Sequence, residues 1–139
     1  MVAYEPDNIF AKIMRGELPC HKLYEDDETF VIMDIMPRGI GHCLVLPKKP
    51  FRNILDVDDK TLCAVYATVA KMSKAVMKAF DADGVTVQQF NEAAGGQVVF
   101  HMHVHVVPRF KNVAMRPHSA VMEDERILSE NAEKISMQL

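Results

Sequence analysis

The sequence predicts an α+β fold with one antiparallel sheet, and three observations carry that prediction. Apolar residues recur at helical spacing in three stretches and in strand-like runs in five others. The two kinds are segregated in the order helix, three strands, long helix, two strands, helix. The connections between successive strands are short, which joins them as antiparallel neighbours rather than through crossover helices. The 139 residues have the size of one ordinary domain, so the chain reads as a single domain over 1–139, with a core over 1–110 and a C-terminal tail over 111–139 that carries a helix.

The first helix spans about Asn8 to Arg15: Ile9, Phe10, Ile13 and Met14 share a face, Asp7 or Asn8 supplies an N-cap, and Gly16 ends it. KLYEDDETFVIMDI then holds two apolar runs around the acidic Glu25 to Glu28, which predicts two strands and a tight turn. MPRGIGH turns again before the strand in HCLVLP. From Asp58 to Phe80 the period becomes 3.6, with Leu62, Val65, Tyr66, Val69, Met72, Val76, Met77 and Phe80 in one stripe. Acidic Asp58 and Asp59 open this helix and Lys78 lies in its last turn, the polarity its macrodipole favours. VTVQQF returns to strand character, the loop NEAAGGQ follows, and VVFHMHVHVVP makes the last strand up to Pro108. After a looser stretch beyond Arg109, EDERILSENAEKISMQL places Ile127, Leu128 and Ile135 on one side of a terminal helix.

Composition narrows the function classes. A formal charge of −3 lacks the basic excess that a nucleic-acid backbone demands of a partner, although one small phosphate is compatible with it. No apolar run approaches the ~20 residues of a membrane span, and MVAYEPDN does not read as a signal peptide, so a cytoplasmic protein without membrane or nucleic-acid partners is expected. Cys20, Cys43 and Cys63 are odd in number and far apart, which points to reduced thiols rather than a disulfide framework or a thiolate zinc site.

The candidate chemistry lies in FHMHVHVV. On a strand His101, His103 and His105 face one way and Phe100, Met102, Val104 and Val106 the other. At a rise of about 3.3 Å per residue, the outer pair is separated by roughly 13 Å at Cα. Three readings compete. A zinc ion takes two ligands from H-x-H, but the third ring is then remote unless the strand bends. A packing role must explain three rings that each require hydrogen bonds on an apolar strand. A chemical role uses neutral imidazole as nucleophile and imidazolium as acid, with neighbours fixing each tautomer. In the loop before the row, Gly95 and Gly96 can bring backbone N–H groups to an anion, and Asn91 and Gln97 add uncharged donors. An ordinary hairpin connection is the alternative there. Lys48, Lys49 and Arg52 form a small basic cluster that reads most simply as solvated surface.

HMHVHVV also satisfies all seven positions of H-φ-H-φ-H-φ-φ, φ being apolar, and the chain thereby resembles the histidine-triad nucleotide-binding proteins. NIFAKIMRGELPC, MDIMP, GHCLVLPKK, the N-x5-Q loop and VVPRF resemble that family's blocks in the family's order. The resemblance implies a HIT-like α+β fold with a five-stranded antiparallel sheet, a homodimer, and a purine nucleotide with its α-phosphate against the histidines. It implies further that His103 attacks phosphorus to form a nucleotidyl-histidine, that His105 assists the leaving group, that His101 orients the central ring, and that His42 joins their network. Asp34 would hold the ribose hydroxyls, Phe10, Ile13 and Ile35 would wall the base, and Asn91, Gly96 and Gln97 would meet phosphate. For the three apolar residues, spacing alone favours core packing.

Two departures stand out. The residue after Gln97 bears a hydroxyl in many relatives and is Val98 here. Where several bacterial relatives build a structural zinc site from two cysteines, a histidine and the first histidine of the triad, this chain has Asn8, Ala11, Pro50 and His101. No metal and no cofactor are therefore expected. The expected activity is hydrolysis or nucleotidyl transfer at the α-phosphate of a purine nucleotide, with a nucleoside phosphoramidate as first substrate. A dinucleoside polyphosphate hydrolase and a nucleotide-binding module with little turnover are the alternatives.

Overall fold

The computed structural model describes residues 2–118 and 121–139. Of the looser stretch expected after Arg109, residues 119–120 lie outside the described residues. The fold is α+β: α1 (Ile9–Met14), β1 (Lys22–Glu25), β2 (Thr29–Met33), β3 (Cys43–Pro47), α2 (Asp59–Phe80), β4 (Gly84–Gln89), β5 (Val104–Arg109) and α3 (Glu125–Ser136). The strands form one five-stranded antiparallel sheet in the order β1-β2-β3-β5-β4. β5, which carries the last of the three histidines, therefore lies between β3 and the edge strand β4.

Local chemistry sets the element ends. Asn8 caps α1 by accepting from Ala11 N–H, and Asp58 caps α2 by accepting from Thr61 N–H. The β1–β2 turn closes on Asp26, whose carboxylate accepts from the backbone N–H groups of Glu28 and Thr29. Gly41, at φ +77°, lies so close to Phe80 that a Cβ would come within 2.3 Å of its ring. The end of α2 is thus packed directly on the turn that delivers His42.

Strand alternation divides the apolar residues between two faces. Val31, Met33, Cys43, Val45, Val104 and Val106 pack against Val65, Val69, Met72 and Val76 of α2. Leu128 and Ile135 of α3 enter the same cluster, so the helix in the C-terminal tail packs against the core. Phe30, Ile32, Leu44 and Leu46 point to the opposite face, where Phe10 of α1 covers them. The predicted stripe of α2 is only partly inward: Tyr66 is exposed, while Thr61 and Thr68 are buried, Thr68 through a 2.9 Å hydrogen bond to Thr29.

The last strand is shorter than its sequence predicts. Its pairing with β3 and β4 starts at Val104, opposite Val45 and Gln89. Before it, Met102 N–H donates to Phe51 O at 2.8 Å, which draws the chain off the sheet and onto the segment after β3. His101 and His103 consequently precede the regular strand, and His105 lies within it.

Candidate active site

The site occupies the α1-side face. His105 stands opposite Leu44 and Gln88 in register, so it shares the face of Leu44. Two residues back along β3, alternation puts His42 on that face, and two residues beyond Ile32 it does the same for Asp34. The side chains meet: His42 Nε2 lies 2.9 Å from His105 Nδ1 and 3.4 Å from Asp34 Oδ2. The His103 and His105 ring centroids are 5.0 Å apart, and Phe10 packs edge-on to His103 at 4.8 Å.

Backbone groups of fixed polarity settle which nitrogen of each neutral ring carries the proton. The Arg38 N–H donates to His42 Nδ1 at 2.9 Å, so the His42 proton is on Nε2 and faces His105 Nδ1. His105 then carries its proton on Nε2. His103 Nδ1–H donates to the carbonyl of His101 at 2.7 Å, which leaves the His103 Nε2 lone pair without a hydrogen-bond partner among the described residues. His101 Nε2–H donates to Pro47 O at 2.8 Å.

Burial keeps these rings neutral, because a low-dielectric surrounding disfavours the cation. It lowers His101 to about 4 and His103 to a value below the ordinary imidazole range. Burial, reinforced by the nearby Arg38 charge, lowers His42 to about 3. Burial and the neighbouring rings lower His105 to about 2. The same desolvation raises the Asp34 carboxyl to about 6, although Met36 N–H donates to it.

The glycine-containing loop is arranged differently from the expectation. Gln97 is buried, and its amide is saturated: Oε1 accepts from Asn53 and from Glu92 N–H, while Nε2 donates to Arg52 O and Val99 O. It holds the loop rather than offering a donor to an anion. Asn91 Oδ1 accepts from Ile54 N–H and the Gln89 amide, and one Nδ2 hydrogen donates to Gln89. The N–H groups of Gly95, Gly96 and Gln97 close the loop on Ala93 and Glu92. The expected cradle of those N–H groups is therefore spent on the turn itself. Gly96, at φ +95°, leaves space for Phe90, whose ring lies 5.5 Å from that of His105. Glu92 adopts φ 64° and is held by a two-point ion pair with Arg52 and by Asn53. Arg52 is thus a loop anchor, stacked 4.1 Å over Phe100, and Lys48 pairs with Glu25. Neither is free surface charge.

The structure therefore brings together Asp34, His42, His103, His105 and Phe10. Ile13 joins Phe10 on the α1 side, whereas Ile35 packs against the α2-side core. Val98 is 83% exposed. Sequence reasoning missed Tyr4, Arg38, Phe90 and His118. Tyr4 bonds His101 Nδ1 at 2.6 Å, and His118 lies beside Phe90 at 6.3 Å between ring centroids. No local pattern marks them, because each reaches the site from a separate turn, strand end or terminal segment.

Comparison with known proteins agrees with this geometry. The HIT domain model matches residues 15–112. The chain belongs to the HIT family. A HIT-like protein of Borreliella burgdorferi is 42% identical over 76% of this chain and 78% of its own length. The plant HIT relative named adenylylsulfatase HINT3, from Arabidopsis thaliana, is 37% identical over 86% of this chain, which spans 64% of that protein's length. The crystal structure of a Hit-like protein involved in cell-cycle regulation from Bartonella henselae superposes with a TM-score of 0.95 at 50% identity, covering 99% of this chain and all of that one. A zinc-bound histidine-triad protein from Mycobacterium smegmatis gives 0.85 at 28% identity, covering 95% of this chain and 92% of that one. Among the described residues, no helix of this HIT chain is long and apolar enough to cross a membrane.

Proposed function

We propose that the chain hydrolyses or transfers nucleotidyl groups at the α-phosphate of a purine nucleotide through a covalent intermediate on His103, with a nucleoside phosphoramidate as its first substrate. One observation carries the reading: His103 spends Nδ1–H on a carbonyl and keeps an Nε2 lone pair, unpartnered among the described residues, beside a second imidazole. Nε2 attacks phosphorus, the P–N bond breaks, and the departing amine takes one proton from an acid, a role we assign to His105, which carries hydrogen on Nε2. Water then attacks phosphorus, the Nε2–P bond breaks, and the proton that water loses restores the acid. The phosphate's negative charge favours the imidazolium forms that burial opposes in the free protein. Asp34 is assigned to the ribose hydroxyls and Phe10 and Ile13 to the base.

The donor geometry supports a metal-independent route. Asp34, His42 and His105 offer atoms within 4.8 Å of one another, but the Arg38 N–H occupies His42 Nδ1 and thereby puts hydrogen on the Nε2 that would have to ligate. At the position of the relatives' structural zinc, both nitrogens of His101 are engaged, by Tyr4 and Pro47, and Asn8 and Ala11 supply no thiolate. The plant relative's name favours a second reading on the same machinery, an adenylyl sulfate as substrate with sulfate departing. A single domain, a homodimer and a cytoplasmic location complete the proposal.

The test incubates the protein and His103→Ala with adenosine 5′-phosphoramidate, adenylyl sulfate and diadenosine polyphosphates, with and without chelator, and searches by mass spectrometry for the nucleotidyl adduct. Turnover that vanishes in the mutant and ignores chelator is expected. Equal rates in both proteins would overturn the histidine mechanism, and binding without turnover of any substrate would leave a binding module.

A further inference from the structure

The first histidine of the row is held by a residue outside the motif. Pro47 O can only accept, so the hydrogen of His101 is on Nε2 and its Nδ1 presents a lone pair. The Tyr4 hydroxyl, 2.6 Å away, donates to that lone pair, and its ring packs edge-on to the imidazole at 5.7 Å. The Tyr4 oxygen in turn accepts from Asn8 Nδ2 at 2.8 Å, and Asn8 Oδ1 caps α1 through Ala11 N–H at 2.9 Å. One directed chain of donors thus runs from the cap of α1, through Tyr4 and His101, to the end of β3. Its last member matters for chemistry, because the backbone carbonyl of this same His101 accepts the Nδ1 proton of His103. The helix at the other end of the chain presses Phe10 against the His103 ring. His101 is completely buried, so a missing donor at Nδ1 could not be replaced by bulk water without disturbing the packing.

We infer that Tyr4 is a positioning residue for His103: with the His101 tautomer already set by Pro47 O, the Tyr4 hydroxyl holds the orientation of His101 and so the carbonyl that aims the neighbouring ring. Burial raises the Tyr4 hydroxyl above its ordinary value, which keeps it a donor at neutral pH. The inference rests on the reading of His103 as nucleophile, and the readouts below separate the two.

Tyr4→Phe keeps the ring and removes the donor. Nitrogen-15 NMR of labelled histidines should show the His101 Nδ1 resonance shifting as that atom loses its hydrogen bond, with the hydrogen remaining on Nε2. With adenosine 5′-phosphoramidate, kcat should fall about tenfold while KM stays within about twofold, the size of effect a supporting hydrogen bond has on the group it orients. Asn8→Asp retains the cap but replaces the Nδ2 donor with an acceptor that competes for the Tyr4 proton, and it should reproduce a smaller part of both changes. An unchanged His101 Nδ1 resonance in Tyr4→Phe overturns the inference, as does a shifted resonance with unchanged kcat. If His103→Ala turns over substrate as fast as the parent, the nucleophile reading fails instead, and the Nδ1 resonance still reports whether Tyr4 holds His101.

Discussion

The two faces of the sheet use the same strands for opposite purposes. Toward α2, β2, β3 and β5 present apolar side chains apart from Thr29, which bonds Thr68, and these are closed over by Val65, Val69, Met72, Val76 and α3. Toward α1, the same strands or their immediate extensions present Asp34, His42 and His105 at one end and Phe30, Ile32, Leu44 and Leu46 at the other. The first face is insensitive to which apolar residue fills it, provided volume is kept. The second depends on individual hydrogen atoms, since a change of tautomer at any ring reverses a donor and an acceptor. Alternation along a strand separates packing from chemistry at a distance of one residue.

The comparison can be broken most severely at His103. His103→Ala should reduce turnover at least ~10⁴-fold, as loss of a nucleophile does, while leaving the melting temperature near that of the parent. On the other face, Met72→Ala should cost about 2–5 kcal/mol in a urea titration, with unchanged KM for the folded enzyme, because the deleted atoms are wholly buried. An effect of Met72→Ala on KM exceeding its effect on stability would show that the faces are not separate.

Acid should distinguish the faces next. His42, His101, His103 and His105 are all lowered from 6.5 by burial. The unfolded chain gains protons at these rings as pH falls through about 6.5, whereas the folded protein gains them only at lower pH. Stability is therefore full above that value and lost below it, by up to about 1.4 kcal/mol per pH unit for each ring. Asp34 acts in the opposite sense, since its carboxyl is raised to about 6 and its ionisation costs stability as pH rises through that value. One raised carboxyl offsets only part of four lowered imidazoles. The melting temperature should fall steeply from pH 7 to pH 5, and His42→Gln should flatten the slope. A profile independent of pH in this interval would contradict the neutral buried rings.

The smallest expected effect lies at Val98. Its side chain is almost wholly in solvent, so Val98→Ser should leave the melting temperature within about 0.5 kcal/mol equivalent of the parent. A hydroxyl there should raise kcat several-fold if it reaches the phosphate or the leaving group. An unchanged rate would place leaving-group assistance with other residues.

Elements with a strong local signature were legible from sequence: a cap at Asp7 or Asn8, the Asp26 turn, the extent of α2 and the alternation around His105 are decided by neighbouring residues. The start of β5 was misjudged because Met102 bonds Phe51, a partner that strand propensity cannot reveal. Gln97 read as a phosphate donor for a similar reason. An amide in a polar loop looks available until Asn53, Glu92, Arg52 and Val99 are seen to take its whole capacity.

The sequence by itself determined the α+β class, the five strands, the family and the presence of three closely spaced imidazoles. Periodicity and motif spacing are local properties, and backbone geometry converts them directly into faces. Only the tertiary structure decided what each imidazole does. A neutral ring becomes a donor or an acceptor according to the polarity of the group it meets: Arg38 N–H reaches His42 from within the same turn, and Pro47 and Tyr4 reach His101 from distant parts of the chain.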